Sequence, residues 1–311
     1  MPINTLQYAQ ILQQGLDKKA IHSLLTGWMD SNAGQVKYTG GNEVKIPQMS
    51  VDGLGNYNRN EGAGYTLGAV DLKYKTYTMT QDRGRKFQLD AMDVDETNFI
   101  ATATTVMNTF QEEKVIPEID AYRLSKLATV AMEVESDANV KYGYTPTPVE
   151  VLDEIKKGIK VIRENGYQGQ LVIHANYDTT YALEMALSNK IATVTFSKDG
   201  INTEVPSVDQ CPIIKTPQNR LYSAITLNDG KTEGQTAGGY KKATSAKNVN
   251  FIIVPTSVPI AVTKQDVMRI FDPMTNQDAN AWAMDYRRYH DCWVMDNKKN
   301  LVYANIADAK S

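Results

Sequence analysis

The chain has 311 residues, room for one large or two ordinary domains, and its 42% hydrophobic, 22% charged composition excludes disorder of the whole. A net charge of −3 argues against a basic groove that grips nucleic-acid backbone, although a mildly acidic wall can face DNA without adhering to it. Cys211 and Cys292, with no CxxC and no paired spacing, exclude a disulfide scaffold.

The N-terminal stretch lacks a basic region followed by an apolar one, so no signal peptide is expected. No apolar run approaches the ~18 residues of a membrane span, and the expectation is a soluble, intracellularly made protein. Leu6, Ala9, Leu12, Leu16, Ala20 and Leu24 recur at steps of three and four, which predicts an amphipathic helix over residues 5–29, broken by the Ser, Asn and Gly that follow. From Val36 to Thr80 the chain reads as extended. "EVKI" alternates, and Pro47 argues against a central strand position there. "DLKYKTYTMT" alternates as well, with Leu72, Tyr74, Thr76 and Thr78 on one side and Lys73, Lys75, Tyr77 and Met79 on the other. Both faces mix apolar and polar side chains.

Between these strands lies "GLGNYNRNEGAGYTLG", Gly53 to Gly68, with five glycines, three asparagines and only Leu54 and Leu67 as large aliphatics. Two strands joined by such an excursion make a protruding hairpin. An isolated two-stranded hairpin is marginal in water, so it needs a surface to lie on, from its own domain or from another copy.

A long helix is predicted next. Asp93 and Glu96 have capping-box spacing, Asp95 adds a first-turn acid, and Phe99, Ala103, Val106 and Phe110 form a stripe that Ile116, Ile119, Arg123 and Leu127 continue. Pro117 should kink this helix or start a second one. About 35 residues at 1.5 Å each make a rod of roughly 50 Å, a strut. Thr147, Pro148 and Glu150 then mark the start of a helix carrying Val149, Leu152, Ile155, Ile159 and Ile162. "QLVIHA" reads as a buried strand, "DTTYALEMALSNK" as a short helix, and "NVNFIIVP" as a strand after the flexible "DGKTEGQTAGGYKKATSAKN". These compose a mixed α/β unit. The closing "AWAMDYRRYHDCWVMDNKKNLVYANI" reads as two strands around a turn at "DNKKN".

Enzyme chemistry is sparse. His22, His174 and His290 have no HxxxH or HExxH spacing, and no GxGxxG, P-loop lysine motif or GxSxG is present. His174 ends a strand, a place where enzymes set bases, but lacks a partner in any motif. His290 and Cys292 share a strand face, an incomplete zinc set. Cys211, before Pro212 in a loop-like stretch, reads as a buried or idle thiol. The carboxylates of "EEKVIPEIDAYR" and "DAMDVDE" read as solvated helix faces and helix-start acids. Arg83, Arg85 and Lys86, beside Asp82 and Asp90, read as local or intersubunit ion pairs. No cofactor and no metal are expected.

Taken in order, "GNEVKIPQMSVDGLGNYNRNEGAGYTLGAV", "TQDRGRKFQLDAMDVDET", "VIPEIDAYRLSKLA" and "DYRRYHDCWVMDNKKNLVYANI" resemble the major capsid proteins of tailed bacteriophages with the HK97 fold. The resemblance covers essentially the whole chain and rests on the ensemble, not on one motif. It implies an α+β fold with an N-terminal arm (1–34), an extended loop (35–82), a peripheral domain with a spine helix (83–144 and 271–311) and an axial domain (145–270). It implies a structural protein, not an enzyme, that assembles with itself into hexamers and pentamers of an icosahedral shell around double-stranded DNA, without sequence-specific contact. Leu54, Asn56, Tyr57, Arg59, Glu61 and Tyr65 would be the extended-loop contacts on the adjacent subunit, and Arg83 and Arg85 would supply intersubunit ion pairs. A separate scaffolding protein and a portal protein are the other implied partners, and no membrane is involved. The expected location is the virion capsid, assembled in the bacterial host cytoplasm. Lys73 or Lys75 with Asn56, Asn58 or Asn60 would supply the atoms of a Lys–Asn cross-link, but none is expected. An encapsulin-like compartment keeps the fold and changes the cargo. A cytosolic α/β enzyme with a site near His174 is the alternative of another class.

Overall fold

A computed structural model describes residues 24–38, 40–57, 59, 64–90, 106–187, 192–198 and 201–310. The stripe from Leu6 to Ala20, the acids Asp93, Asp95 and Glu96, and Phe99, Ala103, Asn58, Asn60 and Glu61 lie outside the described residues. The chain runs through β1 (Lys37–Tyr38), β2 (Glu43–Val51), β3 (Val70–Thr78) and β4 (Gln81–Asp90) to the long helix α1 (Ile116–Met132). Then come β5 (Val140–Lys141), α2 (Val151–Glu164), β6 (Leu171–Ala175) and α3 (Tyr177–Leu187). Next are β7 (Ala192–Lys198), β8 (Ile201–Val208), β9 (Cys211–Lys215), β10 (Ile225–Leu227) and β11 (Tyr240–Lys242). The last strands are β12 (Val249–Pro255), β13 (Pro259–Phe271), β14 (Ala281–Val294) and β15 (Tyr303–Ile306).

A mixed seven-stranded sheet, ordered β5-β15-β12-β6-β9-β8-β7, organises the molecule. Strand side chains alternate between faces, and here both faces are buried. On one face Leu171, Ile173, Phe251, Ile253 and Tyr303 meet Val151, Ile155, Ile159 and Ile162 of α2. On the other, Val172, Ile252, Val254, Val302 and Ala304 meet Leu124, Leu127, Ala128 and Ala131 of α1. That double burial explains why "NVNFIIVP" and "QLVIHA" are nearly continuous apolar runs. α2 sits close: a Cβ on Gly158 would come within 2.8 Å of Ile253 and Tyr303. β5 and β15, which close one edge of this sheet, come from the segments 83–144 and 271–311; the other strands come from 145–270.

The long helix runs through residues 106–132 as a single helical stretch with a π turn at Gln111–Val115, just before Pro117. The proline therefore neither ends the helix nor opens a separate one; the wider turn accommodates its missing donor. Phe110, on the predicted stripe, meets Phe87 of β4 edge to face at 4.9 Å and Tyr286 of β14 at 5.8 Å. These seat the helix on a second sheet, β13-β14-β4.

Several sequence expectations are corrected. Residues Gly27–Gln35 form a 3-10 helix, so the predicted α-helix does not reach residue 29, and the "SNAG" run continues the turn instead of breaking it. α2 begins at Val151; Pro148 lies in the preceding turn, where the Thr147 carbonyl accepts the Val151 N–H at 3.0 Å. The two closing strands do form, on either side of a 3-10 turn at Asp296–Leu301, and they pair with different neighbours: β14 with β13 and β4, β15 with β12 and β5. Cys211 begins strand β9 and is buried, not in a loop. The "flexible" stretch contains β11, paired with β10, and a turn in which Asp229 accepts backbone bonds from Lys231 and Thr232 at 2.9 Å. No helix among the described residues is long and apolar enough to cross a membrane.

Candidate assembly surface

β2 and β3 pair antiparallel over their whole lengths, from Glu43↔Thr78 to Val51↔Val70. β1 pairs only with Val44 and Lys45, so Pro47 sits where β2 has a single neighbour, the position a proline tolerates. At its base the ribbon is held by its own subunit. Val44 and Ile46 are fully buried with Met79 against Ile260, Val262 and Met295, and Tyr77 packs beside Trp293. Lys75 bonds Asp296, and Lys264 bonds the Gly41 carbonyl.

Pro47 and Gln48 are still half-buried, β2 is exposed from Met49 onward, and the register sorts the side chains. Directly paired residues in a ribbon point to the same face. Met49 and Leu72, Val51 and Val70, and Pro47 and Tyr74 are such pairs, so one face is apolar. Gln48 with Lys73 and Ser50 with Asp71 make the other face polar. The expectation that both faces mix apolar and polar character fails over this distal half. The alternation Pro-x-Met-x-Val and Val-x-Leu-x-Tyr was present in the sequence; only the register that aligns the two was not. Ten of the fifteen large apolar side chains exposed among the described residues lie between Tyr38 and Tyr74.

The described part of the tip is closed on itself. Asp52 and Ala69 exchange backbone and side-chain bonds at 3.1 and 2.7 Å, and Thr66 Oγ1 donates to the Asn56 carbonyl at 3.1 Å. Tyr57 and Tyr65 pack edge to face at 4.9 Å. A Cβ on Gly64 would fall 2.4 Å from the Tyr57 ring, so glycine permits this close approach. Leu54 is fully exposed, and Arg59 is exposed. Of the predicted contact residues, Leu54, Asn56, Tyr57, Arg59 and Tyr65 thus share the tip.

Arg83 and Arg85 stand elsewhere, on β4. Arg83 grips Glu118 of α1 with two bonds, 2.8 and 3.1 Å, and donates to the carbonyls of Asn228 and Gly239. Its charge is engaged inside the subunit, the local form of the expected ion pair. Arg85 donates to the Thr236 carbonyl at 3.2 Å. Lys86 pairs with Asp278 and Asp82 with Arg287.

The α1 acids are not all solvated. Asp120 is fully buried and accepts from the Leu25 and Thr26 N–H groups, Thr26 Oγ1 and Arg220, at 2.7–3.2 Å. Arg123, also fully buried, donates to the Thr26 carbonyl and to Asp30. Together they clasp the segment 24–30 to α1, a contact that residue spacing alone does not reveal.

His174 is fully buried. Its Nε2 accepts from the Trp28 indole at 3.3 Å, and its Nδ1 lies 3.3 Å from Thr216 Oγ1. A ring so placed is a packing element. His290 is buried beside Tyr122, and burial, then the guanidinium groups of Arg288, Arg123 and Arg83, hold its imidazole well below the usual range. Burial pushes the Cys292 thiol up to about 12, far from a reactive thiolate. No group of three or more metal-ligating side chains occurs among the described residues. A cleft of about 590 Å³ is lined by Glu133, Glu135, Asn139, Glu164, Asp296 and Lys299, among others, and lies away from both histidines.

No family model matches the chain, and no curated protein sequence matches it. Solved structures do. The mature capsid of bacteriophage PhiM1 aligns over 86% of this chain and 82% of its own, with 13% identity and a TM-score of 0.54. The capsid of cyanophage P-SCSP1u aligns over 88% and 86%, with 11% identity and a TM-score of 0.55. A virus-like particle from Pyrococcus furiosus aligns over 96% and 99%, with 10% identity and a TM-score of 0.51. At such identities the likeness is one of fold, spread over nearly the whole length of each chain, and this chain has the HK97 fold of phage capsid proteins.

Proposed function

We propose that this chain is the major capsid protein of a tailed bacteriophage, a structural subunit that builds an icosahedral shell of hexamers and pentamers around double-stranded DNA. One observation carries the reading: a hairpin supported at its base ends in a self-closed tip whose Leu54, Tyr57, Tyr65 and Leu67 are left exposed by the described residues of its own subunit. The similarity to capsids adds the context of many identical copies. In this reading residues 35–82 are the extended loop, whose tip lies across the adjacent subunit. The segments 83–144 and 271–311 form the peripheral part around the strut helix, and 145–270 form the axial part facing the capsomer centre. A separate scaffolding protein and a portal protein complete assembly in the bacterial host, and the virion capsid is the final location.

Deleting residues 53–68 tests this. The cut falls beyond the last β2–β3 pair, Val51↔Val70, so the subunit should stay folded and soluble while closed shells disappear from electron micrographs. Normal particles from the deletion would refute the reading. A second reading keeps the shell and changes its content, since a virus-like particle from Pyrococcus furiosus shares the fold: an encapsulin-like compartment for protein cargo. Nucleic acid in purified particles supports the first, and a co-purifying protein without nucleic acid supports the second.

A further inference from the structure

We infer that the hairpin docks on a second copy of this chain through one defined face of its distal half: the pleat face opposite to the one its own subunit uses. The inference rests on the shell-protein reading and adds which side of the ribbon the neighbour covers.

The argument is one of register. Val44, Ile46 and Tyr77 lie on one pleat face, because Val44↔Tyr77 and Ile46↔Lys75 are direct pairs and residues two apart share a face. At the base that face is buried in the subunit's own core. Carried outward, the same face becomes Gln48 with Lys73 and Ser50 with Asp71, and Lys73 and Asp71 pair with each other at 2.5 Å. Ser50, Asp71 and Lys73 are exposed and suit water, while Gln48, next to Ile46, is half-buried. The opposite face carries Met49, Val51, Val70 and Leu72, each more than half exposed. The ribbon therefore switches its apolar side between base and tip. A hairpin meant to fold down on its own body would keep its apolar residues on the face that Val44 and Ile46 begin. A hairpin standing free in water would have no use for four large aliphatic side chains on one face, since exposed apolar patches of this kind mark interaction sites.

The occupant is a second copy for two reasons. The apolar face is continuous with the tip residues that the shell-protein reading lays on the neighbour. The fold is also one whose solved examples include a mature capsid. A repeating shell offers every hairpin an identical neighbour at a fixed place.

A photoreactive benzophenone side chain placed at position 72 or at position 73, followed by irradiation of assembled particles, reads the face directly. Covalent dimers are expected from position 72 at no less than tenfold the yield from position 73. Charge reversal gives a second readout: Leu72→Asp and Val70→Asp should cut particle yield at least tenfold, whereas Lys73→Glu and Ser50→Asp should leave it within about twofold. Circular dichroism and melting of the unassembled subunits separate misfolding from lost docking. Equal cross-linking from both positions, or a preference for 73, overturns the face assignment while the deletion of 53–68 still abolishes shells. Particles that form normally without residues 53–68 defeat the shell-protein reading instead.

Discussion

At residue scale, the interior is set by charged and polar groups that the sequence shows only as letters. Asp120 takes four donors in full burial, and breaking such a pair by removing one partner costs about 3–5 kcal/mol. Its burial in α1, one turn from the equally buried Arg123, was not legible, because its partners at residues 25–26 and 220 are far away in sequence. His174 and Phe110 were legible. One lacked a motif partner and proved a packing residue; the other fell on the helical stripe. His290 yields a pH prediction. Its folded pKa is depressed, so the stability it contributes is present above about pH 6.5 and is lost as pH falls below that value, by roughly 1.4 kcal/mol per unit. Urea unfolding at pH 7 and pH 5 should show the wild type losing more stability than His290→Phe, which keeps an aromatic edge for Tyr122 and cannot titrate. Equal losses in both proteins would contradict the burial of a neutral imidazole.

At the scale of elements, local pattern found α2, β6, β12 and the β2–β3 hairpin, because each carries its period within a dozen residues. It missed the sheet β13-β14-β4. There β4 pairs with a strand some 200 residues later, from Ala281↔Asp90 to His290↔Gln81, and nothing local announces the partner. The long helix depends on that sheet. Phe110→Asp would place a carboxylate between Phe87 and Tyr286, and loss of the aromatic contact plus an unpaired charge should cost about 3–5 kcal/mol. A melting temperature unchanged by this substitution would argue against the seating of the helix start. The hairpin is the opposite case, an element whose folded form leaves apolar area uncovered. Its four apolar side chains are between 53% and 71% exposed, so covering what remains of them would gain on the order of 5 kcal/mol, full burial of one from full exposure being worth about 1.5–3 kcal/mol. Association itself costs an estimated 4–15 kcal/mol. A single hairpin contact is therefore too weak to hold two subunits together.

For the whole molecule, that weakness is the useful property. Contacts that fail singly succeed when each subunit both gives and receives one, and closure makes the later contacts intramolecular. Rigidity of the body serves the same end. A sheet is buried on both faces between α1 and α2 and α1 is clasped to residues 24–30 through Asp120 and Arg123, while the hairpin base is seated through Val44, Ile46 and Met79 on Ile260, Val262 and Met295. Sedimentation velocity of the concentrated chain, supplied with the scaffolding protein the reading calls for, tests this account most directly. It predicts a fast, discrete boundary of closed particles that the 53–68 deletion converts to a slow one. A single slow boundary at the position of a monomer, at every concentration and identical for both proteins, would contradict it.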